Sequence, residues 1–451
     1  MQPPDKVGID DYLAKGHNLQ EAASLAVPLE ARMNGPGPRQ WRALPVVEEL
    51  GKAGWRFAKG GSQLYAYKGG AYRPAKGMLL GYLTRFMGTE WTSGRADAVY
   101  RFCLDASQEL WERPPLRILN VRNGLLDLDT GELRPHEPDF LSAVQLAVRF
   151  DPAATCPAIE RFVCEVFPPD ALRLAYELAG WLATPDTSWQ KAVMLVGSGA
   201  NGKGTYLRLL TAMLGAENVS ALSLQDIAGN RFAAAELFGR LANLCGDIPA
   251  LALESTSTFK AIVGEDPISA ERKYGDPFIF KPFTRLMFST NEPPPAPDGS
   301  YAYFRRWLPV PFPRQFSDAE ADKRLDARLQ RPEELSGLLN LALVAYEEAR
   351  ERGAFTTAAS LQAAAKDFHA SVDPVAAFLG ERAQADPNEQ TGKTALYSAY
   401  KAWALNNGHK TLSAKRFNRR VPVTFPAATL VEVSGRETWQ GIHLLLEGEE
   451  E

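Results

Sequence analysis

The stretch VMLVGSGANGKGT, Val193 to Thr205, constrains the fold more than any other part of this 451-residue chain. Four apolar residues suited to the end of a strand run into Gly197, Ser198, Gly199, Ala200, Asn201, Gly202, Lys203, Gly204 and Thr205. An apolar run at helical spacing follows: Tyr206, Leu207, Leu209, Leu210, Met213 and Leu214. Strand, glycine-rich turn, Gly-Lys and helix is the arrangement that cradles phosphate. Glycines let successive backbone N–H groups curl around phosphate oxygens with no side chain in the way. The helix N-terminus adds partial positive charge. Lys203 brings a full charge to the β and γ phosphates, and a hydroxyl helps hold Mg²⁺. The pattern predicts an α/β domain with ATP seated on residues 197–206, Tyr206 included. The residue after the lysine, usually Ser or Thr, is Gly204, so Thr205 is the expected magnesium ligand.

A triphosphatase also needs an acid at a strand end, a polar sensor near the γ phosphate and cationic charge for the transition state. RLANLCGD, Arg240 to Asp247, is an apolar strand ending in an acid, and Asp247 is the second candidate for Mg²⁺. Only one acid stands there, so Glu254 is an alternative for activating water. RLMFSTN, Arg285 to Asn291, is another apolar strand, with Asn291 as sensor. The paired Arg305 and Arg306 follow a Pro/Gly loop and fit an arginine finger, a group usually supplied by a neighbouring subunit. Between these strands, Lys260, Arg272, Lys273 and Lys281 flank short β-like runs and could contact the phosphates of a strand.

The length allows roughly three domains. Hydrophobic residues at 45% and charged residues at 23% describe an ordinary soluble globular composition. No apolar run of about 18 residues marks a membrane span. The start, MQPPDKVGIDDYLAKG, lacks the apolar core of a signal peptide. Cys103, Cys156, Cys164 and Cys245 and the five histidines are scattered, which predicts reduced thiols in a cytoplasmic protein and no zinc site.

A net charge of −4 argues against a generally basic surface, but the charge is unevenly spread. From Thr391 to Leu446 eight basic residues face only Glu432 and Glu437, before an acidic tail at Glu447 to Glu451. Thr394 to Asn406 suits a helix, NNGHK a turn, and Ser413 to Arg420 a second helix capped by Ser413. Lys415, Arg416, Arg419 and Arg420 make that helix basic. Leu430 to Val433 and Trp439 to Leu446 suit a two-stranded wing around Gly435. Helix-turn-helix with a wing points to DNA binding, with protein contact as the alternative.

These signals divide the chain into an N-terminal edge (1–40), a mixed α+β domain (41–155), the nucleotide domain with its preceding helices (156–314), a helical connector (315–371) and a winged-helix module (372–451). Helices are expected at 10–32, 46–53, through most of 77–109, at 318–330, 332–352 and 354–374, with two more between 156 and 183. Short strands are expected in 55–72 and 117–150.

Several motifs together resemble one family. NGLLDLDTGELRPHEPDFLSA (123–143), TPDTSWQK (184–191), GANGKGT (199–205), GEDPISAERKYGDPFIFKP (264–282), FSTNEPP (288–294), YFRRW (303–307) and ELSGLLNLAL (334–343) stand in an order similar to the helicase part of phage, plasmid and poxvirus primase-helicases. That motor belongs to helicase superfamily III. Residues 76–150 resemble the family's helical N-terminal region, and KVGIDDYLAKG (6–16) the tail of the domain that often precedes the motor. The resemblance implies an AAA+-type ATPase that moves on single-stranded or forked DNA as a ring, usually a hexamer, in a bacterial host cell. Lys203 and Asp247 would serve ATP and Mg²⁺, Asn291 would sense, and Arg305 or Arg306 would act on a neighbour's nucleotide. Lys273 and its neighbours would line the channel, and a primase domain or protein would be a partner. Two readings of other classes stand beside it: a nucleotide-gated DNA-binding initiator that does not unwind, and a small-molecule phosphotransferase, because Gly-Lys-Gly-Thr also occurs in adenylate-kinase-like loops.

Overall fold

The computed structural model describes residues 41–273, 277–296, 300–317, 319–320, 322–407 and 411–445. The helix expected at 10–32, the 6–16 segment, residues 408–410 of the NNGHK turn and the acidic tail lie outside the described residues. Two compact units meet between Leu110 and Trp111.

The first unit comprises helix α1 (Leu44–Lys52), strands β1 (Phe57–Gly60), β2 (Gln63–Lys68) and β3 (Ala71–Pro74), and helices α2 (Lys76–Phe86) and α3 (Ser93–Ala106). The strands form an antiparallel sheet in sequence order. Both connections are two-residue turns with positive φ throughout, Gly61-Ser62 and Gly69-Gly70. That geometry matches the right-handed twist of paired strands, and it explains the Gly-Gly breaks. The largely helical stretch expected over 77–109 is two helices with a break at 87–92, where the Thr92 hydroxyl accepts from Arg95 N and starts α3 afresh. Leu50, Leu64, Leu79, Leu83, Val99 and Cys103 form the core of this unit.

The second unit opens with a small antiparallel sheet, β4 (Ile118–Val121), β5 (Gly124–Asp127) and β6 (Leu133–Arg134). Helices α4 (Pro157–Val166) and α5 (Leu172–Ala183) lead to β7 (Ala192–Val196) and α6 (Lys203–Leu214). Then come β8 (Val219–Ser220), α7 (Leu224–Gly229), α8 (Arg231–Ala234), β9 (Ala242–Cys245), α9 (Ser257–Val263), the hairpin β10 (Ile268–Glu271) and β11 (Pro277–Phe280), β12 (Arg285–Thr290), α10 (Tyr301–Phe304) and β13 (Trp307–Pro311). A parallel five-stranded sheet in the order β13-β7-β12-β9-β8 carries the unit. Its strands are covered on both faces, as parallel strands require. Along β7, Val193 and Leu195 join one core and Ala192 and Met194 the other. The period of two along a strand produces that division.

Residues 111–155 pack with this second unit. Leu119, Val121, Leu126 and Leu146 share a core with Leu209 and Leu210 of α6, and Ala147 N donates to Met213 O at 3.1 Å. The boundary therefore falls at 110/111 rather than at 155/156. The expected 318–330 helix shrinks to α11 (Leu325–Leu329). It is followed by α12 (Pro332–Arg352) and α13 (Ala359–Val372). The C-terminal part adds α14 (Pro374–Arg382), β14 (Ala383–Gly392), α15 (Lys393–Asn406), α16 (Ala414–Thr424), β15 (Thr429–Val433) and β16 (Arg436–Leu444). Its sheet is antiparallel in the order β14-β16-β15. Three strands stand where two were expected, because β14 is polar and shows no strand-like alternation. Phe378, Leu396, Tyr400, Phe417 and Trp439 form its separate core.

Helices α5 and α12 are bound most closely. A Cβ at Gly180 would stand 2.2 Å from the Ala342 carbonyl oxygen, and one at Gly337 would stand 2.2 Å from the Thr155 carbonyl carbon. The fully buried Glu177 of α5 accepts from Arg352 at 2.7 Å and from Thr356 N and Oγ1 at 2.7 and 2.6 Å. Cys103, Cys156 and Cys245 are buried free thiols and Cys164 is an exposed one. Among the described residues no helix is long and apolar enough to cross a membrane. Gly180→Ala is expected to lower stability by about 1–3 kcal/mol through overpacking, read as a lower urea midpoint at unchanged slope.

Candidate functional site

Three neighbouring strands of the parallel sheet end at one edge, where open α/β sheets bind ligands. The loop 197–202 leaves β7, Asn291 leaves β12, and Asp247 lies just past β9. Glycine is required at two points of the loop. Gly202 sits at φ +88°, and a Cβ there would stand 2.6 Å from Val166 Cγ1 of α4. At Gly197 a Cβ would stand 2.0 Å from Asn201 Nδ2. Asn201 donates that nitrogen to Phe312 O at 3.2 Å, and Phe316 N donates to Ala200 O at 2.8 Å. The segment after β13 thus holds the loop in shape.

Lys203, the first residue of α6, is only 4% exposed. Its Nζ donates to Gly197 O at 2.6 Å, Asn201 Oδ1 at 2.9 Å and Asn291 Oδ1 at 3.2 Å. Burial pulls the ammonium below the usual lysine range, and the Asp247 carboxylate opposes that shift. Asp247 is exposed, has φ +48°, and donates its N–H to Ser289 Oγ at 3.2 Å. A left-handed aspartate is strained and turns the chain sharply at the strand tip. The arrangement places one cation at the mouth of a helix N-terminus, chemistry suited to phosphate.

The remaining expected residues divide. Ser198 and Ala200 are exposed on the loop. Thr205 Oγ1 accepts from Arg208 Nη2 at 3.1 Å. Tyr206 does not reach the loop's ligand face. It is fully buried, its hydroxyl donates to Ala175 O at 2.7 Å, and its ring packs on Phe167. It is a core residue, because one helical step past Thr205 turns the side chain inward.

Arg305 and Arg306 precede β13, and Trp307 pairs with Ala192 while Pro311 pairs with Val196. They therefore lie at the opposite edge from their own loop, roughly 16 Å of strand away. There Arg305 Nη2 donates to Gln190 Oε1 at 3.0 Å, and Lys191 Nζ donates to Arg305 O at 2.5 Å.

On the hairpin, Lys273 is exposed, while Arg272 stacks over Phe278 and Phe238 at 4.9 and 5.4 Å. Lys281 lies at the hairpin's base, 3.9 Å from Glu265, beside a cavity of ≈ 430 Å³ that Trp111 and Arg113 also line. Lys260 is half-buried on α9.

On α16, Lys415, Arg416 and Arg419 are exposed. Arg420 differs. It is 14% exposed and ion-paired with Asp373, itself 6% exposed, which also caps α14 by accepting from Val375 N at 3.1 Å. Arg420 is thus a structural tie rather than a free DNA-facing cation. Phe417 and Val421 turn inward on the same helix, and Arg420 stands next to Val421. Ser413 occupies the cap position but makes no side-chain cap bond. Arg208 and Ser289 were missed as site residues. Arg208 follows Gly204 by one helical turn, a spacing that is readable in sequence.

Residues 45–168 match the family described as D5 N terminal like, and residues 370–440 match the Poxvirus D5 protein-like family. Residues 195–306, which include the loop, match a family of unknown function, DUF5906. A protein of Acanthamoeba polyphaga mimivirus, L207/L206, whose helicase name is itself provisional, is 25% identical over 221 residues. That alignment covers 46% of this chain and 23% of the relative, so the chain spans about a quarter of that relative's length. Two solved structures of the NrS-1 C-terminal region, both apo, share the fold at TM-score 0.51. They are 12% and 10% identical, covering 88% and 89% of this chain and 98% and 100% of theirs. The class that emerges is a mixed α/β chain with a parallel sheet and a phosphate-type loop. Its two ends resemble D5-type families, and part of the chain resembles a provisionally named viral helicase.

Arg420→Ala is expected to destabilise the C-terminal part by about 3–5 kcal/mol, because it leaves Asp373 buried and unpaired. Ala at Lys415, Arg416 or Arg419 should stay within about 0.5 kcal/mol. Denaturant unfolding of the full chain, followed by near-ultraviolet dichroism, separates the two.

Proposed function

We propose that this chain is an ATP-driven DNA helicase or translocase of the superfamily III, AAA+ kind, working as a homo-oligomeric ring in replication of a phage or other mobile element. The observation that carries the reading is the convergence of Lys203, Asn291 and Asp247 at adjacent strand tips around the glycine loop. Bound phosphate would replace the oxygens that now accept from Lys203. Asn291, freed from the lysine, would orient water. Mg²⁺ would neutralise phosphate charge, with Asp247 and Thr205 as the residues placed to hold it or its waters. The arginine pair at the far edge supports action in trans, since Arg305 and Arg306 do not reach their own loop but could meet the next subunit's. The exposed Lys273 and the other hairpin cations suit contact with single-stranded DNA. The C-terminal helices and sheet are read as a winged-helix module, with Lys415, Arg416 and Arg419 toward duplex phosphates.

Hydrolysis of ATP with and without single-stranded DNA tests the motor. DNA should stimulate the wild type. Lys203→Ala should remove activity, and at least one of Arg305→Ala and Arg306→Ala should lower turnover by about 10³-fold with nucleotide binding retained. Hydrolysis indifferent to DNA would favour a nucleotide-gated initiator, and ADP formed from AMP would favour a phosphotransferase. Replacing Lys415, Arg416 and Arg419 together should weaken duplex binding and flatten its log–log salt slope by about 0.9 per lost contact. An unchanged slope would make the module a protein-contact domain.

A further inference from the structure

We propose that Arg208 is a phosphate-contacting cation of its own subunit's nucleotide site, standing where the side chain missing at position 204 would be and held there by Asp326 until nucleotide arrives. The inference rests on the loop binding a nucleoside triphosphate. Its origin is helical geometry. Side chains four residues apart share a face and lean toward the helix N-terminus, so Arg208 climbs over Gly204 toward the loop. The Arg208 Nη1 atom stands 3.2 Å from where a Gly204 Cβ would be. A serine or threonine at 204 would need that space for its hydroxyl. The same guanidinium donates Nη2 to Thr205 Oγ1 at 3.1 Å, the hydroxyl otherwise placed to serve Mg²⁺.

Asp326 of α11 holds the other side of the fork, accepting from Nε at 2.8 Å and from Nη2 at 3.3 Å. Nη1 is left facing the first turn of α6. Arg208 and Asp326 are 56% and 42% exposed, so the pair is loosely held and a phosphate group can compete for the guanidinium. A planar guanidinium grips phosphate oxygens with paired donors, which a lone ammonium cannot do. A positive charge in place of the missing hydroxyl supplies part of the neutralisation that Mg²⁺ gives elsewhere. Nucleotide binding here should accordingly depend less on Mg²⁺ than in loops with Ser or Thr after the lysine.

The test is the affinity of the full chain for the non-hydrolysable analogue AMP-PNP, by calorimetry in Mg²⁺ or in EDTA. Arg208→Ala should weaken binding about tenfold or more in EDTA and clearly less in Mg²⁺. Arg208→Lys should recover only part of the loss. Asp326→Asn should bind as tightly as wild type or more tightly, and Gly204→Ser should make binding more dependent on Mg²⁺. The inference is overturned if Arg208→Ala binds like wild type while Lys203→Ala does not. It is equally overturned if Asp326→Asn loses as much as Arg208→Ala, since the pair would then be only a tie between α6 and α11. If Lys203→Ala itself binds normally, the nucleotide-site reading fails and takes this inference with it.

Discussion

The buried ammonium of Lys203 is the interaction on which the site depends. It reaches three oxygens from two strand tips and the loop between β7 and α6. A lysine taken out of water needs such partners, and burial already pulls its proton affinity down. Every nearby feature serves that placement. Gly197 and Gly202 allow the close approaches, Asn201 fixes the loop to Phe312, and the parallel register brings Asn291 to the same edge. Because the ammonium's present partners are all neutral oxygens, an anion can displace them at little cost.

The sheet that presents this edge is set by packing on both faces. α5 and α12 approach through Gly180, and the buried Glu177 carboxylate in the middle of α5 accepts from Arg352 at the end of α12. The fully buried Arg285, at the start of β12, is pushed down to about 9 by desolvation and donates to the Phe283 carbonyl at 2.8 Å. The contacts between α5 and α12 join residues more than a hundred positions apart. The parallel register of β13 on β7 places the arginines of the YFRRW segment at one end of the strands and the phosphate loop at the other.

Much of this was legible from residue pattern. The strand-loop-helix around Lys203, the apolar strands ending at Asp247 and Asn291, and the two C-terminal helices each carry local periodicity that backbone sterics read directly. What escaped was non-local or masked by polarity. The strand β14 has no alternation, and the break at 87–92 depends on one threonine cap. Tyr206 and Arg420 look like their neighbours in sequence. One is turned into the core, and the other is bound by Asp373, 47 residues away.

Sequence by itself determined the chemistry available: a glycine loop, its lysine, an acid and an amide at strand ends, a missing hydroxyl at Gly204 and a basic C-terminal helix. Local rules suffice for these, because turn geometry, helix spacing and charge lie within a few residues of one another. Tertiary structure decided which of those groups meet. Strand order brought Asn291 to Lys203, strand direction kept Arg305 and Arg306 from their own loop, and helix facing separated Arg208 from Tyr206. Each is a question of which edge or face a side chain occupies, and only the packed sheet and helices fix that.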